Sequence, residues 1–247
     1  MNMKLFYALF LSIISGLSTM IGGLFIFFPV KNPNKFITFS LSLSMSVMLG
    51  ISVFDLIPEA MNCLKSIKTM YSLIIIIGIF IFGSSISYLL CKKVLKEKGS
   101  SLYKVGILSF IALIMHNLPE GILTFMATYK SFKLGLSICI AIALHNIPEG
   151  ISIAVPIYYA TGNCWKALKK TMLSSLAEPI GALITFLLLK SYITNEIIGY
   201  MLIFVSGIMT SISIEKILPE ALSYNLKKPV YTGLIVGFII VIINAIL

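Results

Sequence analysis

The sequence predicts an all-α integral membrane protein of eight transmembrane helices. Composition points there first: of 247 residues, 58% are hydrophobic and 11% charged, against roughly 25% charged in an average soluble domain. The apolar residues also fall into runs of the length, about 20 residues, that a helix needs to cross a bilayer. Finally, two pairs of these runs share motifs while crossing in opposite directions. No stretch is polar enough for a soluble domain, so one transmembrane domain covers 1–247 with the lipid bilayer as its surroundings.

The first span, about 5–28, stops at Pro29. Lys4 is a poor leader for a signal peptide, the run is long, and Phe27-Phe28-Pro29 offers no small-residue cleavage site, so it reads as a retained helix. The second span covers about 36–61 and the third about 70–91. A lysine-rich linker, 92–104, follows; it holds no histidine and reads as a solvated cytoplasmic loop. The fourth span covers 105–127, the fifth 132–159, the sixth 166–191, the seventh 196–219 and the eighth 230–247. Eight crossings put both termini on one side. Twelve lysines lie in the connections 1–2, 3–4, 5–6 and 7–8 (Lys31, Lys35, Lys92, Lys93, Lys96, Lys98, Lys104, Lys166, Lys169, Lys170, Lys227, Lys228), six on the other side (Lys4, Lys65, Lys68, Lys130, Lys133, Lys190), and Lys216 falls near the inner end of the seventh span. The positive-inside rule makes the twelve-lysine side cytoplasmic and both termini extracellular.

The net charge of +10 raises the question of nucleic acid. The lysines are scattered through short loops and form no basic face, which argues against it. Every basic residue is lysine, a bias expected of an AT-rich bacterial source. Cys63, Cys91, Cys139 and Cys164 are isolated and read as free thiols, not as a disulfide or thiolate metal framework.

The chemistry is concentrated in one hexapeptide written twice: His116-Asn117-Leu118-Pro119-Glu120-Gly121 in the fourth span and His145-Asn146-Ile147-Pro148-Glu149-Gly150 in the fifth. Ionisable groups inside a membrane are costly, about 2.5–3.5 kcal/mol each at mid-helix on insertion scales, and default to a functional reading. His and Glu four residues apart share one helix face, so each copy can offer imidazole and carboxylate to one ion. That set suits zinc and other first-row divalent metals. Pro119 and Pro148 free the carbonyls of Met115 and Leu144, and Gly121 and Gly150 permit close helix approach. Helix–helix hydrogen bonding is the alternative role for a single membrane histidine; two histidines with paired carboxylates favour metal.

Other intramembrane acids follow the same lead. Glu178, in Ala177-Glu178-Pro179-Ile180-Gly181, is either a ligand or a protonated acid bonded to a neighbouring helix. Asp55 and Glu59 near the outer end of the second span, and Glu215 and Glu220 near the inner end of the seventh, are path residues or carboxylates wetted at the interface. The runs Phe54–Ala60 and Ile214–Ala221 match loosely, an acid followed by Pro-Glu-Ala, with one extra residue in the seventh span. Inverted repeats with a mid-membrane site are typical of secondary transporters. Of the nine acids, seven lie in or at the ends of spans with no arginine to neutralise them, and a cationic substrate is their simplest partner.

With HNLPEG, HNIPEG, AEPIG and the acid-Pro-Glu-Ala ends in hand, the chain resembles the ZIP (Zrt/Irt-like protein) family of divalent metal transporters, its bacterial ZupT-like and GufA-like branches above all, over its whole length. The resemblance implies an eight-helix 3+2+3 inverted-repeat bundle, with the fourth and fifth spans clasped by two three-helix units. It implies a binuclear centre: His116, Glu120, His145 and Glu149 around one ion, and Asn117, Asn146, Glu149 and Glu178 around a second, Glu149 bridging. It also implies metal movement into the cytoplasm, with zinc the usual substrate and iron, manganese, cobalt and cadmium often accepted, and an elevator-like sliding of the first, fourth, fifth and sixth spans against the rest. The metal is then transported substrate, not cofactor. A passive channel and, at lower weight, an intramembrane metallohydrolase are the rival readings; the latter lacks the base that HExxH would supply, since Asn follows each His. A homodimer is left open.

Overall fold

The structure, a computed structural model, describes residues 3–28, 30–65, 70–96, 99–189 and 194–246. Among these none is in a strand. The helices are α1 (Met3–Gly23, drawn out by a 3₁₀ turn over Leu24–Phe27), α2 (Pro33–Ile51), α3 (Ile57–Cys63), α4 (Met70–Leu95), α5 (Ser101–Lys130), α6 (Phe132–Thr161), α7 (Cys164–Ser175), α8 (Ala177–Ile184), α9 (Asn195–Ile212), α10 (Leu218–Ser223) and α11 (Lys227–Ile246). Seven segments are long and apolar enough to cross a membrane: Met3–Phe27, Pro33–Cys63, Leu73–Val94, Ser101–Lys130, Phe132–Thr161, Asn195–Ser223 and Lys227–Ala245. Pro29, Lys68, Lys98, Lys190 and the expected end of the sixth span at 191 lie outside the described residues.

Most helices run further than apolarity alone suggests, because polar residues cap them. Asn32 accepts from the Lys35 N–H at the start of α2, and Ser100 from that of Tyr103 at the start of α5. Asn163 and Thr194 do the same for α7 and α9. Each such cap is worth about 1 kcal/mol. Gly162 ends α6 in the left-handed conformation (φ 66°), which a glycine adopts without strain. Much of 92–104 is therefore helical, α4 continuing to Leu95 and α5 beginning at Ser101.

The sixth span differs most from its expected form. It is split at Leu176 into α7 and α8. Pro179 has no N–H to return to the Ser175 carbonyl, so the helix breaks one turn earlier. The Ser175 carbonyl instead faces α1 where Gly16 leaves room; a Cβ on Gly16 would lie 2.5 Å from it.

The second repeat is closer than the sequence comparison indicates. α2 and α3 are joined by a π-helical turn, Ser52–Leu56, and α9 and α10 by another, Ser213–Ile217. Each is five residues long and each is followed by a short helix with proline at its second position (Pro58, Pro219). The Ile57 N–H reaches the Ser52 carbonyl, and the Leu218 N–H that of Ser213. There is no extra residue in the seventh span. Aligned on the turns, Asp55 corresponds to Lys216 and Phe54 to Glu215.

Packing divides the bundle into two groups. α1, α5, α6, α7 and α8 pack on one another; α2 packs against α11, and α4 and α3 against α9. α2 against α6 and α5 against α9 join the groups. Backbones touch at reciprocal glycines. A Cβ on Gly121 would fall 2.0 Å from the Glu178 carbonyl, and one on Gly181 2.2 Å from that of Leu118, which locks α5 to α8. Gly150 against Thr19 and Gly22 against Ile147 lock α6 to α1 in the same way. Lipid is as apolar as leucine, so close backbone contact of this kind is what holds membrane helices together. The outer faces of α4 and α11 remain apolar and exposed, with Ile74, Ile81, Phe82, Leu89, Ile235 and Ile239 among them.

Gly121→Ala places its new carbon within the Glu178 carbonyl. We expect a loss of about 1–3 kcal/mol, seen as a lower midpoint of thermal unfolding in detergent, while Gly78→Ala, where nothing lies within 4 Å, leaves the midpoint unchanged.

Candidate metal centre

α5 and α6 are joined through Ser131 alone and run back along each other. That places the two hexapeptides face to face halfway along 30-residue helices. Both helices stay helical through Pro119 and Pro148. The shared face predicted for each His/Glu pair forms, and the faces meet. His145 Nε2 lies 2.9 Å and His116 Nε2 3.0 Å from the same oxygen, Glu120 Oε1. His116 Nε2 is 3.6 Å from Glu149 Oε1. The imidazole centroids are 6.1 Å apart. Donor atoms of His116, Glu120 and His145 all fall within 4.8 Å of one another, as a metal ion requires.

Burial is nearly complete: His116 1% exposed, Glu120 2%, His145 4% and Glu149 0%. Hydrogen bonding is not. Both oxygens of Glu149 lack a hydrogen-bond partner, as do Glu120 Oε2 and the side-chain carbonyls of Asn117 and Asn146. Buried polar atoms are paired in the large majority of cases, and an uncompensated buried charge is strongly destabilising. Five acceptor oxygens without a hydrogen bond lie in the same stretch as two imidazoles, and among the described residues those histidines are the groups at ion-pair distance from Glu120 and Glu149.

The residues expected around a second ion are arranged differently. Glu178 already has partners: the Ser15 hydroxyl donates to one of its oxygens and the Asn146 amide to the other. Asn146 also donates to the Ser15 carbonyl (2.9 Å), and Asn117 to that of Ser174 (3.4 Å). Glu178 thus ties α8 to α1 and α6.

A cavity of about 650 Å³ leads from this cluster to one end of the bundle. Its walls include His145 and Glu120 at the bottom and Asp55, Glu59, Lys130 and Asn244 further out. Glu215 and Glu220 lie at the opposite end, in a separate cavity of about 310 Å³. Glu215 accepts from Ser211 (3.0 Å) and Glu220 from Ser101.

Two contributors escaped sequence reasoning. Ser15 belongs to a buried polar stripe, Ser12, Ser15, Ser18 and Thr19, on one face of α1; its helical spacing was the available signal. Asn244, 8% exposed, donates to Asp55 (2.6 Å) and is a lone amide in the last apolar span; intramembrane polarity was its signal.

Comparison with known sequences gives a consistent result. The family described as ZIP Zinc transporter matches residues 91–245. The chain is similar to a protein named Zinc transporter ZupT from Lysinibacillus sphaericus (strain C3-41), at 34% identity over 96% of each chain. A protein of the same name from Streptococcus mutans serotype c is 35% identical over 100% of this chain and 99% of its own. One from Corynebacterium glutamicum is 46% identical over 56% of this chain and 52% of its own.

Glu149→Gln removes the partnerless carboxylate while keeping its shape. We expect the metal-free variant to be more stable than the parent by about 1 kcal/mol or more, read as a raised unfolding midpoint in chelator; an unchanged or lower midpoint means that His116, 3.6 Å away, already compensates the carboxylate.

Proposed function

Because this chain belongs to the ZIP zinc transporter family, we propose that it carries zinc across the cytoplasmic membrane into the cell, and accepts Fe²⁺, Mn²⁺, Co²⁺ and Cd²⁺ through the same donors. It is a multi-pass membrane transporter and not an enzyme, and the ion is its substrate. The observation that most supports this reading is the Glu149 carboxylate, fully buried, without a hydrogen bond, and 3.6 Å from His116. Such a group is stabilised by a cation that arrives and leaves.

The route follows from the positions of the acids. Asp55 and Glu59 gather ions at the outer mouth of the 650 Å³ cavity. At its floor, His116, Glu120, His145 and Glu149 replace the ion's water. Both imidazoles present Nε2 to Glu120; a ligating imidazole must be neutral, so metal displaces the protons these groups share. Binding offsets the cost of holding carboxylates in a dry interior. A second ion, held by Asn117, Asn146, Glu149 and Glu178, requires Ser15 and Asn146 to release Glu178 first. Glu215 and Glu220 receive the ion on the inner side. The two packing groups are the natural halves of the transport motion, since α5 and α6 move with α1, α7 and α8 if the glycine crossings hold.

In the same reading the lysine-rich connections, including 92–104, are cytoplasmic and both termini extracellular. The cavity then opens outward, as uptake requires. The bilayer covers α4 and α11. The path lies within one chain, so a homodimer leaves it complete in each copy.

Proteoliposomes loaded with a zinc-sensitive dye test the reading directly. We expect saturable zinc uptake with the parent protein and only the empty-vesicle background with His145→Ala plus Glu149→Ala; uptake that survives the double variant overturns the assignment of the centre. Orientation is checked separately with Gly99→Cys in a background lacking the four native cysteines. A membrane-impermeant maleimide should label it in inverted vesicles and not in intact cells.

A further inference from the structure

The paired π-turns carry opposite charges at one position. Ser52–Ala60 and Ser213–Ala221 superpose without a gap, with a five-residue π-turn, proline at the second position of the next helix, and a fully buried alanine at the end. In that register Asp55 of the first copy corresponds to Lys216 of the second. Both are half-buried. Asp55 faces the cavity that reaches Glu120 and His145. Lys216 faces the cavity of about 310 Å³ at the other end, together with Glu215, Glu220, Lys104 and Ser101. Among the described residues no carboxylate lies within ion-pair distance of the Lys216 ammonium. Its charge is therefore not consumed by one carboxylate, and Lys216 borders both this cavity and a neighbouring one of about 270 Å³ beside Cys91.

We propose that Lys216 is the release residue of the transport path: its ammonium keeps the inner carboxylates Glu215 and Glu220 from retaining a divalent cation. A carrier needs a shallow site where its ion leaves. Two glutamates with no cation beside them make a deep one, since two unit charges near a protein surface interact strongly at short range; here Lys216, next to Glu215 in the chain, shares the cavity with them and with Lys104. A fixed cation in the same cavity repels the departing ion and competes for the same oxygens. It also disfavours loading from the inner side. The inverted repeat thus supplies one frame twice, with an attractive group at the outer mouth and a repulsive one at the inner mouth, which gives a structurally symmetric bundle an electrostatic direction. The inference rests on the uptake reading above.

The test compares Lys216→Glu and Lys216→Arg with the parent protein. Two readouts are taken: zinc uptake into proteoliposomes, and the number of zinc ions bound by purified protein at equilibrium. With Lys216→Glu we expect a maximal uptake rate about tenfold lower, from a two-unit change of charge beside the leaving ion, and one bound zinc more than in the parent. Adding Glu215→Gln and Glu220→Gln removes that ion. Lys216→Arg keeps the parent's rate and stoichiometry. A parent protein that moves zinc beside a Lys216→Glu variant of equal rate and equal stoichiometry overturns this inference and leaves the uptake reading standing. A Lys216→Arg variant as slow as Lys216→Glu also overturns it, because shape and not charge would then be at issue. A parent that moves no zinc overturns the uptake reading itself.

Discussion

A carboxylate with no hydrogen-bond partner, buried in the middle of a helical bundle, is the constraint on which this structure turns. Glu149 is wholly enclosed and both of its oxygens are orphaned. Hydrocarbon offers no water to repair the omission. His116 lies between Glu149 and Glu120, whose Oε1 both imidazoles share, and a cavity runs from Glu120 and His145 toward Asp55. A protein selected for stability alone would pair or delete that charge. Here both Glu149 oxygens are left without a hydrogen bond, with the His116 imidazole 3.6 Å away.

The scaffold meets this demand through backbone contact. Gly121 with Gly181, and Gly150 with Gly22, bring α8 and α1 onto α5 and α6 at the level of the two hexapeptides. One glycine of each pair is the last residue of the motif itself. The segment that supplies ligands therefore also supplies the crossing point that positions them. It also binds the ligand helices into one group with α1, α7 and α8, and that group meets α2, α3, α4, α9, α10 and α11 across a more limited interface. The two hexapeptides thus sit inside one packing group.

Symmetry sets the frame and charge breaks it. The π-turns before Pro58 and Pro219 are the same local solution to the same difficulty, a missing proline N–H near the end of a membrane helix. Their side chains diverge, with Asp55 at one mouth and Lys216 at the other. Opposite charges on equivalent positions give the two cavities of an inverted repeat different electrostatic character.

Much of this was legible in the residues. Apolar runs near 20 residues long disclose the membrane helices, because bilayer thickness fixes their length. The His-to-Glu spacing of four discloses a shared face, because helical periodicity is local. The same logic points at Asp55, Glu59, Glu215 and Glu220 as acids at the two ends. The tertiary structure alone decided what depends on distant partners. It split the sixth span at Leu176, where Pro179 and the contact with Gly16 act together. It gave Glu178 to Ser15 and Asn146, which lie far away in the chain. It removed the apparent extra residue from the seventh span, because matching five-residue π-turns fix Ser52–Ala60 on Ser213–Ala221 without a gap. Local spacing is written in the chain; which buried polar atom finds a partner, and which does not, is settled only when the helices meet.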